Sequence, residues 1–166
     1  TPTVFARLPG LLERSGPGLP GQGAITGLFT VLVEGDDTNE PIADATRGIL
    51  DGHVVLDRRI AQRNRFPAIN ILRSVSRSMP DCNAPEENEL VNTARRLMTS
   101  YDDMAEMIRL GAYRKGSDTE VDQAIHFHPL FEAFLSQDMA EQARLQDGYD
   151  LLAHILKTGT LPEGKA

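Results

Sequence analysis

At 166 residues the chain fits one domain, or one small unit plus part of another. Its net charge of −7 argues against a nucleic-acid partner held on a basic surface, and the single cysteine, Cys82, excludes an internal disulfide framework and fits a reducing compartment. No apolar run approaches the length of a membrane span, and with aromatic content at 5% the core must pack mainly through aliphatic side chains.

The chain opens with Thr1-Pro2, an N-cap followed by proline in the first turn of a helix. Val4, Phe5, Leu8, Leu11 and Leu12 recur at helical spacing, and Pro9 predicts a kink or a break into two short helices. Ser15 to Gly23, rich in glycine and proline, reads as a loop. Ala24 to Val33 is apolar on both faces and reads as a buried parallel strand. Glu34-Gly35-Asp36-Asp37 follows at its carboxyl end. It reads as a solvated acidic turn, or as a contact with a neighbouring subunit or a nucleotide-linked water; two adjacent aspartates specify little as a metal site.

Pro41, Ile42, Ala45, Ile49 and Leu50 predict a short helix with Gly52 at its cap. His53 to Leu56 is a second strand, and its histidine reads as structural. Asp57 to Arg65 carries Arg58, Arg59, Arg63 and Arg65 and predicts a short helix with an exposed basic face. Pro67 bars a regular helix, and Ala68 to Leu72 reads as a short buried third strand. The polarity then flips to Ser74, Ser76 and Arg77. A strand ending in hydroxyls and an arginine is a common place for an α/β protein to build a site.

From Pro85 the character changes. Glu86, Glu87 and Glu89 suit the positive end of a helix dipole, and Leu90, Ala94, Leu97, Tyr101, Met104 and Ile108 form one apolar stripe that Gly111 ends. Arg114 to Asp118 is a turn. Ser117 or Asp118 caps a helix over Glu120 to Phe127, Pro129 starts another, and Ala140 to Leu156 is the last. Thr158 to Ala166 reads as a frayed tail. His126 and His128 invite a metal reading, but two ligands without a third at fixed spacing make a weak site.

Pro67-Ala68-Ile69-Asn70, three residues, then Ser74-Val75-Ser76-Arg77 resembles the motif shared by the subunits of rotary ATP synthases and the ATPases of flagellar and type III protein export. Val33 to Asp37, Asn39 to Asp44, Arg47 to His53 and Gly111 to Asp118 resemble the export ATPases, the flagellar branch in particular. No Gly-x4-Gly-Lys-Ser/Thr loop occurs, and the chain starts at Thr1. The resemblance therefore implies the carboxy-terminal part of such an ATPase, with the phosphate loop and the metal ligands upstream.

That resemblance implies an α/β fold: the C-terminal part of a RecA-like P-loop NTPase sheet (three mostly parallel strands with helices, residues 1–84), then an all-α helical bundle (85–166). It implies Arg77 as an arginine finger reaching a neighbour's γ-phosphate, a role suited to a planar, permanently charged guanidinium. The bland reading of Arg77 is a pair with Asp81 at the strand end. Phe66 and Pro67 resemble one wall of an adenine pocket, and Tyr113 a second wall. The turn with Asp118, Glu120 and Asp122 resembles the surface that meets a coiled-coil stalk; a solvated face is the alternative. ATP with Mg2+ is the implied cofactor. The implied partners are further copies in a homo-hexamer, a stalk-like export protein, a regulatory export protein, export substrates and the membrane export gate, in the cytoplasm, without nucleic acid. The other readings are an injectisome ATPase, or a nucleotide-free module that docks a stalk or regulator.

Overall fold

The computed structural model describes residues 2–33 and 40–162. The Thr1 cap, the Glu34 to Asp37 loop and the last four residues lie outside the described residues. Contacts divide the chain into two compact units, one up to His53 and one from Val54 onward.

In the first unit, α1 spans Pro2–Leu12 as one helix with Pro9 inside it, not the two pieces expected. Glu13 N–H reaches the Pro9 carbonyl at 2.9 Å, so helical bonding resumes just past the proline. Leu12 is 3% exposed, and α1 packs on α2 (Pro41–Ile49). The glycine-rich stretch is a small hairpin. Gly16–Pro17 (β1) pairs antiparallel with Ala24–Ile25 (β2), in the register Gly16 to Ile25 and Pro17 to Ala24.

Residues 26–33 are not the buried strand that their composition predicts. They run irregular, with Leu28 97% and Leu32 91% exposed. A strand with two apolar faces needs layers on both, and no strand among the described residues pairs with this one. The predicted glycine cap of α2 is also absent. The helix ends at Leu50 in an extended conformation, and Gly52 is already the first residue of β3 (Gly52–Leu56).

In the second unit, Asp57 caps α3 (Arg58–Gln62) by accepting the Arg59 N–H at 2.9 Å. The third strand is longer than its apolar run: β4 covers Ile69–Ser76 and pairs with β3. It continues into the serines because Ser74 Oγ donates to the Asn70 carbonyl (2.6 Å) and accepts the Val55 N–H (3.0 Å), which ties the polar half to β3.

The helical stripe forms as expected in α4 (Pro85–Arg109). It begins with the Glu87 carboxylate accepting the Ala84 N–H at 2.9 Å, and Gly111 at φ 70° turns the chain after it. Where two helices are predicted there is one, α5 (Thr119–Leu135), running through Pro129. Pro129 forgoes one backbone bond. Val121 and Ala124 before it and Phe131 after it are all buried, so packing on both sides holds the helix together. The last helix, α6 (Leu145–Thr158), starts later than predicted, with Asp147 accepting the Arg144 N–H at 3.2 Å.

The core sits among these three helices. Ala94, Leu97, Phe131, Leu152 and Ile155 are buried together, and Leu161 packs against them, so the tail is not frayed as far as Leu161. Fully burying a side chain such as Ile155 contributes roughly 1.5–3 kcal/mol. Beside this core an apolar cavity of about 260 Å³ is lined by Ile71 of β4 and by Val91, Met98, Phe134, Leu145 and Leu152 among others.

Candidate functional site

Three short contacts attach the helices to β4 and the segment before it. Arg95 Nη1 of α4 donates to the Ile71 carbonyl at 3.2 Å. The Gln137 N–H, just after α5, donates to the Phe66 carbonyl at 2.7 Å. Arg65 Nη2 donates to the Ile69 carbonyl at 3.1 Å, while its Nε lies 3.1 Å from Glu132 Oε2 of α5. That Nε makes no hydrogen bond of good geometry, so charge rather than a straight N–H···O bond joins Arg65 to Glu132. Arg58, Arg59 and Arg63 are exposed as the basic face predicts, but Arg65 is 7% exposed and departs from it. It lies beyond the end of α3, where the chain has already turned inward.

Phe66 leaves this anchored backbone with its ring half exposed (51%), and Pro67 is exposed beside it. Ten residues on, Arg77 stands exposed at the exit of β4. The preceding serines bond backbone: Ser74 as above, and Ser76 Oγ accepts the Met79 N–H at 3.3 Å. Neither has a base to activate it among these contacts, so they shape the strand exit rather than act as nucleophiles. Asp57 stiffens the other end of the strand pair. Burial alone would raise its pKa, but the Arg59 N–H, the Asn70 amide and the Arg73 and Arg59 charges outweigh it and hold the carboxyl below its ordinary value.

Tyr113 is elsewhere. Its hydroxyl donates to the Asp118 carbonyl (2.9 Å) and to Asp122 Oδ1 (3.0 Å), and Asp122 Oδ2 accepts the Gly116 N–H at 2.8 Å. Tyr113 therefore belongs to the turn that leads into α5, whereas Phe66 is tied to the residues at the far end of that helix. From Asp122 to Glu132 is ten residues, about 15 Å of helix rise. The structure does not bring Tyr113 and Phe66 together as two walls of one pocket. Desolvation and then the Asp122 carboxylate push the Tyr113 phenol above its ordinary pKa.

The acidic tip is also more occupied than its composition suggests. Asp118 caps α5 by accepting the N–H groups of Glu120 (2.8 Å) and Val121 (3.2 Å). Asp122 is half-buried and serves the turn, and Glu120 Oε1 lies 3.9 Å from Arg96 Nε. The side chains exposed in the turn itself include Arg114 and Lys115.

The two histidines serve separate contacts. His126 Nε2 meets the Gly159 carbonyl at 3.1 Å, and the His128 ring stacks on Tyr101 with centroids 3.6 Å apart. Burial holds the His128 imidazole below its ordinary pKa; Arg63 and Arg65 push the same way, while Glu132 and Asp102 oppose. Among the described residues no group of three or more His, Cys, Asp or Glu could hold a metal ion.

The comparisons with known proteins divide the chain between residues 76 and 83, where strands give way to the long helices, not at the His53/Val54 division by contacts. Residues 1–76 match the model of the ATP synthase alpha/beta family, nucleotide-binding domain, and residues 83–154 match that of the T3SS EscN ATPase C-terminal domain. The chain is 58% identical over 163 residues to the flagellum-specific ATP synthase of Caulobacter vibrioides. The chain belongs to the flagellar and type III export ATPases.

Further export ATPases show the breadth of the likeness. The SPI-2 type 3 secretion system ATPase of Salmonella typhimurium is 46% identical over 140 residues, 84% of this chain and 32% of that protein. The assembled EscN ATPase of the enteropathogenic E. coli type III secretion system superposes with a TM-score of 0.87 at 39% identity, over 93% of this chain and 37% of that one. The α/β part followed by a helical bundle is thus the export-ATPase fold. The Caulobacter match takes in 95% of this chain and 37% of that protein, so the chain spans about a third of the length of these relatives.

Proposed function

We propose that this chain is the carboxy-terminal portion, residues 1–84 of the nucleotide domain and 85–166 of the helical domain, of a ring-forming ATPase. The ATPase hydrolyses ATP to energise protein export through a flagellar type III apparatus. The observation that carries the reading is Arg77, exposed at the exit of a strand whose end is fixed by two serine side chains. A guanidinium held there can reach a phosphate that belongs to an adjacent subunit and spread the charge of the transferring phosphoryl group. Kinship with assembled EscN, and with EscN in complex with its central stalk EscO, supports a homo-hexamer and a stalk partner. The 58% identity to a flagellar relative favours the flagellar apparatus, while the 46% identity to the SPI-2 ATPase supports the injectisome alternative.

The residues present fit part of an ATP site. The exposed Phe66 ring with Pro67 suits one face of the adenine, since a flat base stacks on an aromatic side chain. Arg77 suits the phosphate of the neighbouring site. Bound Mg2+ supplies neutralisation of the β- and γ-oxygens, and its ligands and the phosphate loop belong to residues beyond this sequence. Tyr113, given its bonds to Asp118 and Asp122, we assign to the turn. That turn, with Glu120, Arg114 and Lys115 at its surface, is the contact for a coiled-coil stalk. Work at the cytoplasmic face of the membrane export gate, with a regulatory protein and export substrates, completes the reading. No helix among the described residues is long and apolar enough to cross a membrane.

The test is Arg77→Ala in the full-length hexamer. ATP binding should persist while turnover falls by about 10³-fold or more. Turnover at the parental rate would end the arginine-finger assignment.

A further inference from the structure

Arg65 is a buried cation in a place where an apolar side chain would fill the space at lower desolvation cost. Its charge is answered by Glu132, 3.1 Å away on α5, and its other arm holds the Ile69 carbonyl at the start of β4. The next residue, Phe66, gives its carbonyl to Gln137 N–H at 2.7 Å, immediately beyond the end of the same helix. So two consecutive residues are fastened to α5 and its exit by two chemically different bonds, one ionic and one backbone. His128 lies one turn before Glu132, senses the charges of both Arg65 and Glu132, and stacks on Tyr101 of α4. The stretch of α5 that carries Glu132 is thus packed on α4 through this stack.

We propose that Arg65 and Glu132 are positioning residues for the nucleotide base. They clamp the Phe66 backbone to α5, so that the orientation of the Phe66 ring follows the helical domain. A movement of that domain then changes base contact without any helical residue touching the phosphates. The inference rests on the proposed reading of Phe66 as a base contact, and it adds the device that sets the ring's place.

The experiment uses the full-length hexamer with Glu132→Gln, which keeps the side chain's size and removes its charge. KM for ATP should rise about fivefold, the worth of roughly one stacking interaction, while kcat at saturating ATP holds. Affinity for inorganic triphosphate, which has no base, should stay at the parental value. The exchange Arg65→Glu with Glu132→Arg, which restores opposite charges, should return KM towards the parental value. It also serves where the single variant fails to assemble. Amide exchange at Gln137 gives a readout apart from activity: protection should fall in Glu132→Gln and recover in the exchange. Phe66→Ala separates the two readings. If it raises KM for ATP and Glu132→Gln does not, the clamp is overturned and the base contact stands. If Phe66→Ala leaves KM unchanged, the base-contact reading itself falls. Loss of triphosphate affinity in Glu132→Gln, or a fall in kcat without a change in KM, would also overturn the clamp.

Discussion

Asp122 shows how much one carboxylate can organise. One oxygen takes the Tyr113 hydroxyl and the other the Gly116 N–H, so the turn before α5 closes around a single side chain. Asp122→Asn removes the charge that helps raise the phenol's pKa. Tyr113 should then titrate nearer its ordinary value in an ultraviolet difference titration, with the other tyrosines unchanged. Tyr113 and Tyr149 are both raised in the folded state, Tyr149 by burial first and then by Glu87 and Cys82. Each contributes stability that is complete below the unfolded tyrosine pKa and is lost as pH rises through the folded one, so the unfolding midpoint should decline on going alkaline past about 10. His128 works at the other end of the scale. Its folded pKa is depressed, so its contribution is complete above the unfolded value of about 6.5 and is lost as pH falls towards the folded one. A denaturant series on acidification should show that loss, and His128→Gln should flatten it. At this scale the sequence is legible for side chains whose partner is local, such as Asp118 at its cap. It is not legible for Arg65, because its partner lies 67 residues away (132 − 65) and nothing in a row of four arginines marks the one that turns inward.

Helix boundaries follow the sequence where a cap is written in it and depart from it where packing decides. Asp118 and Glu87 mark true starts. Pro9 and Pro129 are breakers by propensity, yet both lie inside helices. Tertiary contact overrides the lost bond, and periodicity around Pro129 is the signal that could have shown it: Val121, Ala124, Phe127 and Phe131 keep helical spacing straight through the proline. The end of α6 depends on Gly159 twice over. Its φ is 68°, and a Cβ there would sit 2.9 Å from His126 Nε2. Gly159→Ala should therefore destabilise the helical unit by about 1–2 kcal/mol, read as a lower midpoint in thermal unfolding followed by circular dichroism. Gly148→Ala, where a Cβ meets nothing within 4 Å, is the control and should be neutral or slightly stabilising.

For the molecule as a whole, the fold class was legible through the Ser-Val-Ser-Arg motif and the helical stripe. The state of residues 24–33 was not. Their apolar character reports the environment that a parallel strand needs, not one that the described residues supply. Leu28 and Leu32 stand almost wholly exposed, with Ile25 at 66%. An isolated chain carrying such a row has an apolar surface in want of a partner. Sedimentation should show concentration-dependent association of the 166-residue chain, reduced by Leu28→Ser with Leu32→Ser. A monomer at all concentrations would count against this. The unbroken course of α5 has a mechanical meaning. At 17 residues it is a strut of about 25 Å, anchored at its start to the Tyr113 turn and towards its end to Arg65 and Phe66. Tilting a strut of that length by 10° sweeps its tip through about 4 Å, roughly the thickness of a stacked ring. A hinge at Pro129 would have dissipated that sweep; a continuous helix delivers it, so α5 can act as a lever whose throw is the displacement that the proposed Phe66 base contact would feel.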